Sequence, residues 1–471
     1  MAEINVKFDP TVEIEEIKMA LNTSTAEEEP DNYERGEYQQ TKVEGIAAPM
    51  IRLNNIVIIS DQVKKLSLSS NPTPVVDAEV VDSFDLSRVL DSPQSDNLMV
   101  VQIIPPFDNG YKKINLRFYI TNYNISGKTI KLHGVYNIPN IHDIVLEAFG
   151  KKTTYEFTED VAKRFKLGFA TNIENTSDSR YIYCPSTEIL NVLGQEVSFG
   201  GDDTTVLDWW IDYWNYVNLV NVYDRYNSSE PIPKIWTMTN NGVEMNDTNS
   251  TEPVEVDAVL TNHPSLHGSP LYIGSYKMSS STLDNIYSGT DKTIETYSML
   301  ELNSETTEIM DGDIYNDIFK KYEYGGEVFG EHNYIAQEAK RYSFLQKMNS
   351  QTIEVVLQKP QFGLARGGRV TLNWYESNSF VSKTIEEEND SVSTNSDDTD
   401  TANSNIPEYE DDNDGETENA WVLNKTVSGQ YYIIDSTFNY NHNGGMMNWR
   451  HTLKLSRPAS GVETYMGGES E

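Results

Sequence analysis

The sequence predicts a β-rich α+β fold, with two antiparallel β-barrel domains and an α/β segment between them. Short runs in which polar and apolar residues alternate, each stopped by turn residues, recur in the first third and at the end of the chain. Segments with helical features fall between them. The 28 tyrosines and 15 phenylalanines supply large apolar side chains to a sequence in which only 38% of residues are hydrophobic.

The N-terminal part predicts an arm followed by a barrel. Residues 1–46 carry an acidic cluster around Glu28 and few periodic apolar residues, so we expect an acidic, partly disordered arm. Residues 47–137 predict the first β-barrel domain. Its first two strands meet at a turn at Asn54 and Asn55, and the further strands are predicted at 63–69, 99–104, 114–120 and 129–136.

Residues 138–254 predict a mixed α/β segment. Thr158 can cap a helix whose first turn holds Glu159 and Asp160, which suits the helix dipole. Gly168 stands where that helix would stop.

A second, Trp-rich helix is predicted at 205–217, beginning near Thr204 or Thr205, and a strand is predicted after it at 217–226. Four apolar residues in this helix follow the spacing i, i+3, i+4, i+7, which is typical of one buried helix face. They are Leu207, Trp210, Ile211 and Trp214. We interpret this aromatic stripe as core and not as a ligand site.

Residues 255–382 and 420–458 predict the second β-barrel domain. The predicted elements are strands at 258–260, 271–273, 352–357, 369–375, 431–440 and 446–455, and a helix at about 332–347. Residues 459–471 are predicted as a C-terminal tail.

An acidic insertion at 383–419 interrupts the second barrel. From Glu386 to Glu418 it holds fourteen acidic residues and neither Lys nor Arg, so it lacks an apolar face that could offset the entropy of ordering. We predict a disordered surface loop. Replacing about residues 385–418 with a short Gly-Ser linker should change the melting temperature by only a few degrees. A much larger fall in a thermal melt would contradict this prediction.

The charge of the chain excludes one class of function. Its 73 acidic and 36 basic residues give a net charge of −37, which disfavours specific nucleic-acid binding. Two interpretations remain open: general solubility, or a wall along which DNA passes without adhering. Cys184 is the only cysteine, so an intrachain disulfide is impossible. We expect no signal peptide and no membrane span, and synthesis in a cytoplasm.

No catalytic, cofactor-binding or metal-binding residue is predicted. An EF-hand beginning at Glu410 fails because its twelfth position is Trp421 and not Glu. His263 and His267 have a ligand-like spacing, but they lie in a loop-like segment without further nitrogen or sulfur ligands. The glycine-rich segment 363–369 lacks the Lys-Ser/Thr ending of a phosphate loop and predicts a turn before a strand.

The order of the C-terminal segments resembles that of a known family. A strand at 352–357 is followed by the glycine-rich turn and strand at 363–372, a long strand introduced by 427–435, and a closing segment at 449–458. This order resembles the C-terminal barrel of phage tail hub proteins, the late control protein D family and baseplate central hubs of contractile tails. The valine-glycine repeat spike proteins of type VI secretion are similar in their first part.

The first half agrees with this resemblance. The helix predicted at 161–168 resembles a short helix of the family, here with Leu167 before Gly168, and the Trp-rich helix takes the place of the second family helix. The acidic arm and the insertion depart from the family pattern, and no lysozyme-like segment is fused to the chain.

The resemblance implies a non-enzymatic virion protein in the tail baseplate. Three copies with two barrels each would present six similar barrels to a six-fold tail tube and a three-fold face to a trimeric spike. The implied partners are further copies of the chain, the spike or cell-puncturing protein, the tail tube protein and other baseplate proteins. The channel of such a ring would be acidic and would let DNA pass, and no cofactor is implied.

Two other functions remain as alternatives. A carbohydrate-binding or receptor-binding tail module would also be β-rich, although such modules usually lack helices between two barrels. An enzyme such as a wall hydrolase would need an activated nucleophile or an acid/base pair, and the sequence presents neither.

Overall fold

The computed structural model describes several ranges of the chain, and some of these as backbone alone. The described residues are 4–15, 17, 47–82, 86–92, 96–105, 112–201, 205–228, 232–238, 254–262, 276–282, 293–297, 323–328, 341, 344–345, 348–349, 351–357, 360–377, 421–423, 427–443 and 446–457. Only the backbone is described at 236–238, 254–262, 276–282, 293–297, 323–328, 376–377, 421–423, 443 and 446.

The first half of the chain is built from antiparallel strands. After β1 (Asn5–Phe8), its elements are β2 (Met50–Leu53), β3 (Ile56–Ile58), β4 (Val63–Ser70), β5 (Pro74–Val81), α1 (Leu86–Leu90), β6 (Leu98–Ile103), β7 (Ile114–Ser126) and β8 (Thr129–Tyr136). Burial alternates along β4 and β5, as expected for strands with one face on a core. The turn predicted between β2 and β3 is confirmed, since Asn54 adopts φ 50°.

The middle segment contains both helices and strands. Its elements are β9 (Ile144–Lys152), α2 (Thr154–Arg164), β10 (Gly168–Thr171), β11 (Arg180–Glu188), α3 (Ile189–Phe199), β12 (Leu207–Ile211), β13 (Tyr216–Asn221) and α4 (Val222–Tyr226). A four-stranded sheet has the order β1, β10, β13, β12, with β10 and β13 parallel. Strands β9 and β11 form a separate two-stranded antiparallel ribbon.

The second half returns to strands. Its elements are β14 (Lys234–Met238), β15 (Val254–Asn262), β16 (Tyr276–Thr282), β17 (Thr293–Tyr297), β18 (Glu323–Val328), β19 (Gln351–Leu357), β20 (Arg369–Ser377), β21 (Trp421–Leu423), β22 (Gly429–Asn443) and β23 (Met446–Arg457). Four of these, β19, β20, β22 and β23, confirm the strands predicted at 352–357, 369–375, 431–440 and 446–455.

One fourteen-stranded sheet runs through both halves. Its order is β3, β2, β6, β7, β8, β5, β4, β22, β23, β19, β15, β14, β20, β21. The halves join where β4 pairs with β22, with Leu68 opposite Phe438. Strand β20 also pairs with β22, so the second-half strands that follow β22 in this order return to it. The β-rich α+β class is therefore confirmed, but two separate closed barrels are not found among the described strands.

The prediction of a Trp-rich helix at 205–217 is wrong. The segment forms strand β12, a turn with Asn215 at φ 65°, and strand β13. In β12 the consecutive residues Trp209, Trp210 and Ile211 are all buried, because the strand is covered on both faces. A short apolar run buried on both faces has no periodicity of its own, so the helical spacing there was coincidental.

The end positions of helix α2 also differ from the prediction. The helix begins five residues earlier than expected, with Thr153 as its N-cap in a capping box with Glu156. Thr158 lies inside the helix and donates to the carbonyl of Thr154. The left-handed residue after the helix is Lys166, φ 57°, whereas Gly168 begins β10. A Cβ at Gly168 would lie 2.3 Å from the Tyr216 ring, so close packing and not helix termination requires glycine there.

Three further predictions were partly correct or lie outside the described residues. The strand predicted at 217–226 ends at Asn221, and the chain continues as α4. Of the helix predicted at 332–347, the described residues 341, 344 and 345 are helical. The predicted arm begins with β1, while residues 18–46, the strand at 271–273, the insertion at 383–419 and the tail at 459–471 lie outside the described residues. No helix in the described part of the chain is long and apolar enough to cross a membrane.

Candidate functional site

The seam between the two halves is packed with aromatic side chains from several parts of the chain. Phe438 of β22 stacks on Phe362 and on His451, with ring centroids 5.0 and 4.4 Å apart. The ring of Tyr213, from the turn between β12 and β13, lies 5.3 Å from Phe438, and its hydroxyl donates to the carbonyls of Leu68 and Ser436. The first half, the α/β segment and the second half therefore share one core at this point.

An arginine clamp fixes the same three parts from the other side of β12. The Arg366 guanidinium donates to Asp208 Oδ2 at 2.9 Å and to Asn71 Oδ1 at 2.8 Å, and it lies 5.3 Å from the Trp210 ring. Arg341 lies 3.7 Å from the other Asp208 oxygen. Burial acts to lower the pKa of Arg366, but the negative charge of Asp208 outweighs it and raises this pKa. Arg366 therefore stays ionised, and its bonds hold the first half, the α/β segment and the second half in one orientation.

A second buried ionic network sits under helix α2. Asp178 accepts hydrogen bonds from the backbone N–H of Thr154 at 3.1 Å and of Gly201 at 3.0 Å, and it pairs with Arg180. Arg180 also donates to Glu196 of α3 at 2.8 Å. Burial would raise the pKa of Asp178, but hydrogen bonds from the Thr154 and Thr176 side chains, the Arg180 charge and the Gly201 N–H lower it to about 2. The network joins α2, α3 and β11, and it is satisfied by protein groups.

Ser436 and His451 form a pair that resembles a nucleophile and its base. Ser436 Oγ lies 2.7 Å from His451 Nε2, and burial lowers the His451 pKa to about 3, so the ring is neutral. The backbone N–H of Gln361 donates to His451 Nδ1 at 3.2 Å, which places the ring proton on Nε2. The imidazole therefore donates to Ser436 and cannot accept its proton, the reverse of a hydrolase pair.

The other residues considered from the sequence do not assemble into a chemical site. Cys184 is buried, and its thiol donates to the carbonyl oxygens of Val145 and Thr187. Gly367 forms the expected turn before β20, with φ 81°. His263, His267 and the Glu410 segment lie outside the described residues. Among the residues that the structure describes, no group of His, Cys, Asp and Glu could hold a metal ion.

The outer face of the sheet at the seam carries rows of polar residues across several strands. Lys65 lies opposite Asn441 on one side and Glu79 on the other, and Glu79 lies opposite Lys131. A parallel row contains Asn439, Ser67, Asp77 and His133, in which His133 Nδ1 lies 2.7 Å from Asp77. Together with Asn448 and Arg450, the residues of these rows other than His133 line a groove of about 650 Å³. Opposite charges alternate here, so the face is close to neutral.

The acidity of the chain is concentrated outside the described residues. These residues include 29 of the 73 Asp and Glu and 25 of the 36 Lys and Arg, which gives them a net charge of 25 minus 29, or −4. The remaining −33 lies in the rest of the sequence. The net charge of −37 therefore does not apply to the described residues by themselves.

Asp212, in the turn before β13, gives a testable pH dependence. Burial raises its pKa to about 6, although its carboxylate accepts hydrogen bonds from Tyr216, Asn218 and Trp214. A raised folded-state pKa stabilises the fold at low pH, and this contribution is lost as the pH rises towards and through about 6. The wild type should therefore lose about 1–2 kcal/mol of its free energy of unfolding between pH 4 and 7, and Asp212→Asn should not show this loss. The figure is smaller than the full pKa shift implies because Asp212 is partly exposed.

Urea denaturation of both proteins across this pH range measures the difference. Glu354→Gln, a change of the same kind at an exposed carboxylate of β19, serves as the control. Equal pH slopes for wild type and Asp212→Asn would contradict the prediction.

Comparison with known proteins gives structural similarity alone. No protein-family model and no curated protein sequence matches the chain. It is similar to the tail protein of Neisseria meningitidis MC58, with 9% identity, coverage of 88% of this chain and 97% of that chain, and a TM-score of 0.48. It is similar to the 43 kDa tail protein of prophage MuSo2 from Shewanella oneidensis, with 9% identity, coverage of 88% and 99%, and a TM-score of 0.45.

A third similar structure comes from the phage P2 baseplate in its activated conformation with Ca. It shows 10% identity, coverage of 87% of this chain and 98% of that chain, and a TM-score of 0.26. These similar structures are phage tail and baseplate proteins, the kind of protein that the sequence resemblance named. At such identities and scores the similarity does not by itself assign a function.

Proposed function

We propose that this chain is a structural hub of a phage-type tail baseplate. In this role three copies close into a ring that joins the six-fold tail tube to a three-fold spike and leaves a channel for DNA. The proposal rests on the sequence resemblance and on one observation, the continuous sheet across the seam. A ring that matches two symmetries needs its two β-rich halves in a constant orientation, and the β4–β22 pairing and the Arg366 clamp supply this.

The hub proposal includes a non-enzymatic role in the virion. The Ser436–His451 pair has the wrong proton arrangement for hydrolysis, which supports this part of the proposal. We also retain an acidic channel wall as a proposal. The described residues carry a net charge of only −4, so this proposal requires acidic residues gathered on the channel-facing surface and does not follow from the net charge of −37 alone.

Native mass spectrometry or mass photometry of the chain, alone and with its spike protein, tests the hub proposal. We expect three copies per particle, and electron microscopy of the assembled ring should place Asp and Glu at the bore. A stable dimer or hexamer in the particle would contradict the hub, and a bore lined by Lys and Arg would contradict the charge argument.

A carbohydrate- or receptor-binding tail module remains the second candidate. The groove on the outer face of the seam favours it, because the amides of Asn439, Asn441 and Asn448 lie beside Arg450 and could bind sugar hydroxyl groups. A glycan array with the whole chain separates the two functions. Saturable binding that is lost in Asn441→Ala would favour the module over the hub.

A further inference from the structure

The two-stranded ribbon of β9 and β11 exposes an unusual apolar surface. Its outer face, called here the ribbon face, consists of six side chains: Ile144, Leu146, Ala148, Tyr181, Tyr183 and Pro185. Four of these are large and mostly in solvent, with exposed fractions of 72% for Ile144, 68% for Leu146, 81% for Tyr181 and 54% for Tyr183. Tyr183 lies opposite Ala148 and Pro185 opposite Leu146, so the six residues form one continuous patch.

The ribbon is held in place by its inner face. Ile182 and Cys184 are buried there, and Phe149 packs edge-on against Phe157 of α2 with ring centroids 5.0 Å apart. Glu147 pairs with Arg164 of α2 at 2.7 Å, and Lys152 pairs with Asp160. A two-stranded ribbon alone would be only marginally stable. Here these contacts with α2 hold the ribbon in place, so the ribbon face has a fixed position on the surface.

The ribbon face is apolar and large enough for a protein interface. None of its six residues is ionisable at neutral pH, and charged residues border it at its two ends, with Lys151 opposite Tyr181 and Glu188 opposite Ile144. Taking ~200 Å² for each large side chain, the four exposed fractions leave roughly 500–600 Å² of apolar surface in water. A standard interface buries about 800 Å² on each partner, so these side chains supply most of one side. A patch of this size is as large as the largest apolar patch of a typical monomer, and such patches are often functional.

We infer that the ribbon face binds a second copy of this chain and forms one side of the contact between neighbouring copies. This inference rests on the proposed ring. A ring of identical chains is closed by heterologous contacts, in which two different surfaces of the same chain meet.

The described surface offers the second side at the open end of the large sheet. Ile59, directly after edge strand β3, is 52% exposed, and Ile104, directly after β6, is 39% exposed. Strand β3 has only β2 as a partner among the described strands, so its outer edge can also accept backbone hydrogen bonds. The apolar ribbon face fits such a sheet edge better than it fits a small ligand, which needs a concave site.

Substitution at the ribbon face tests the inference in the full-length chain. Tyr183→Asp places a carboxylate within the apolar patch, and self-association measured by mass photometry should weaken at least tenfold. Tyr119→Asp, at a 43% exposed tyrosine on β7, introduces the same change away from the patch and should leave the oligomer unchanged. Circular dichroism melts verify that both variants fold.

Labelling identifies what covers the face. Because Cys184 is buried, Tyr181→Cys creates a reactive exposed thiol, and Tyr119→Cys provides the matched control. Maleimide should modify Cys at position 181 quickly in dilute monomer and at least tenfold more slowly in the oligomer of the chain alone, with no change at 119. Protection that appears only after spike or tube protein is added would overturn the inference, since the occupant would then be another protein.

The outcomes separate this inference from the hub proposal. A trimer that persists unchanged in Tyr183→Asp leaves the hub standing and overturns the ribbon contact. A wild-type chain that remains monomeric even with its spike protein contradicts the hub itself. Slow labelling at position 181 in dimers or hexamers would support the ribbon contact and still contradict the trimeric hub.

Discussion

Phe438→Ala is expected to lower the free energy of unfolding by about 3–5 kcal/mol, the range for deleting a fully buried aromatic side chain. Phe438 is buried and contacts the rings of Phe362, His451 and Tyr213. These residues come from the second half and from the α/β segment, while Leu68 of the first half lies opposite Phe438 in the paired strand. The cavity would thus open where three parts of the fold meet.

The loss should also reduce cooperativity between the halves. Chemical denaturation followed by tryptophan fluorescence and by far-UV circular dichroism should give coincident transitions for the wild type and separated ones for Phe438→Ala. Tyr440→Phe is the matched control two residues along β22. The Tyr440 hydroxyl is buried without a hydrogen-bond partner among the described residues, so its removal should be close to neutral. A Phe438→Ala protein with unchanged stability would show that the halves do not share a core.

Trp210→Ala is expected to destabilise the fold by about 3–5 kcal/mol as well. The indole is only 2% exposed, and it lies between the Arg366 guanidinium and the backbone of Gly367. A Cβ added at Gly367 would come within 2.4 Å of the Trp210 ring, which shows how closely the turn before β20 approaches β12. Removing the indole would leave a cavity under a buried ion pair.

Trp214→Ala provides the comparison that separates the strand from the predicted helix. On a helix, Trp210 and Trp214 would share one buried face and cost similar amounts. In the structure Trp214 lies in the turn after β12, is only half-buried and donates its indole N–H to the carbonyl of Lys112 at 2.9 Å. We expect its loss to cost less than half as much in the same denaturation experiment. Equal costs would contradict the strand–turn–strand arrangement.

The sequence predicted those elements whose residues alternate between a core and water. Along β4, predicted at 63–69, the apolar residues Val63, Leu66 and Leu68 are buried and the polar residues between them are not, so period and burial agree. The same holds for β19. The turn at Asn54 was also predictable, because asparagine tolerates the left-handed backbone conformation that a tight hairpin requires.

The sequence was misleading where burial comes from more than one direction. Strand β12 is covered on both faces, so Trp209 and Trp210 are both buried and the alternation that marks a strand is absent. The helix boundary at Thr153 was missed for a different reason. Thr158 also precedes acidic residues, and only the folded backbone shows which threonine accepts the N–H of a first-turn residue.

The seam and the ribbon face could be found only in the tertiary structure. Ser436 and His451 are fifteen residues apart, and their proton arrangement depends on the N–H of Gln361, ninety residues from His451 in sequence. In the sequence, the residues of the ribbon face are typical of a strand and give no sign that they are exposed. They are exposed because α2 and α3 cover only the inner side of β9 and β11.

By itself, the sequence determined the β-rich class, the strands with one face on a core, the lack of an intrachain disulfide and the acidic balance of the chain, since local alternation and composition carry this information. The tertiary structure alone decided that the two halves share one sheet and that the Trp-rich segment is a strand. The physical reason is that strand pairing and two-sided burial join residues hundreds of positions apart, and local patterns hold no record of those partners.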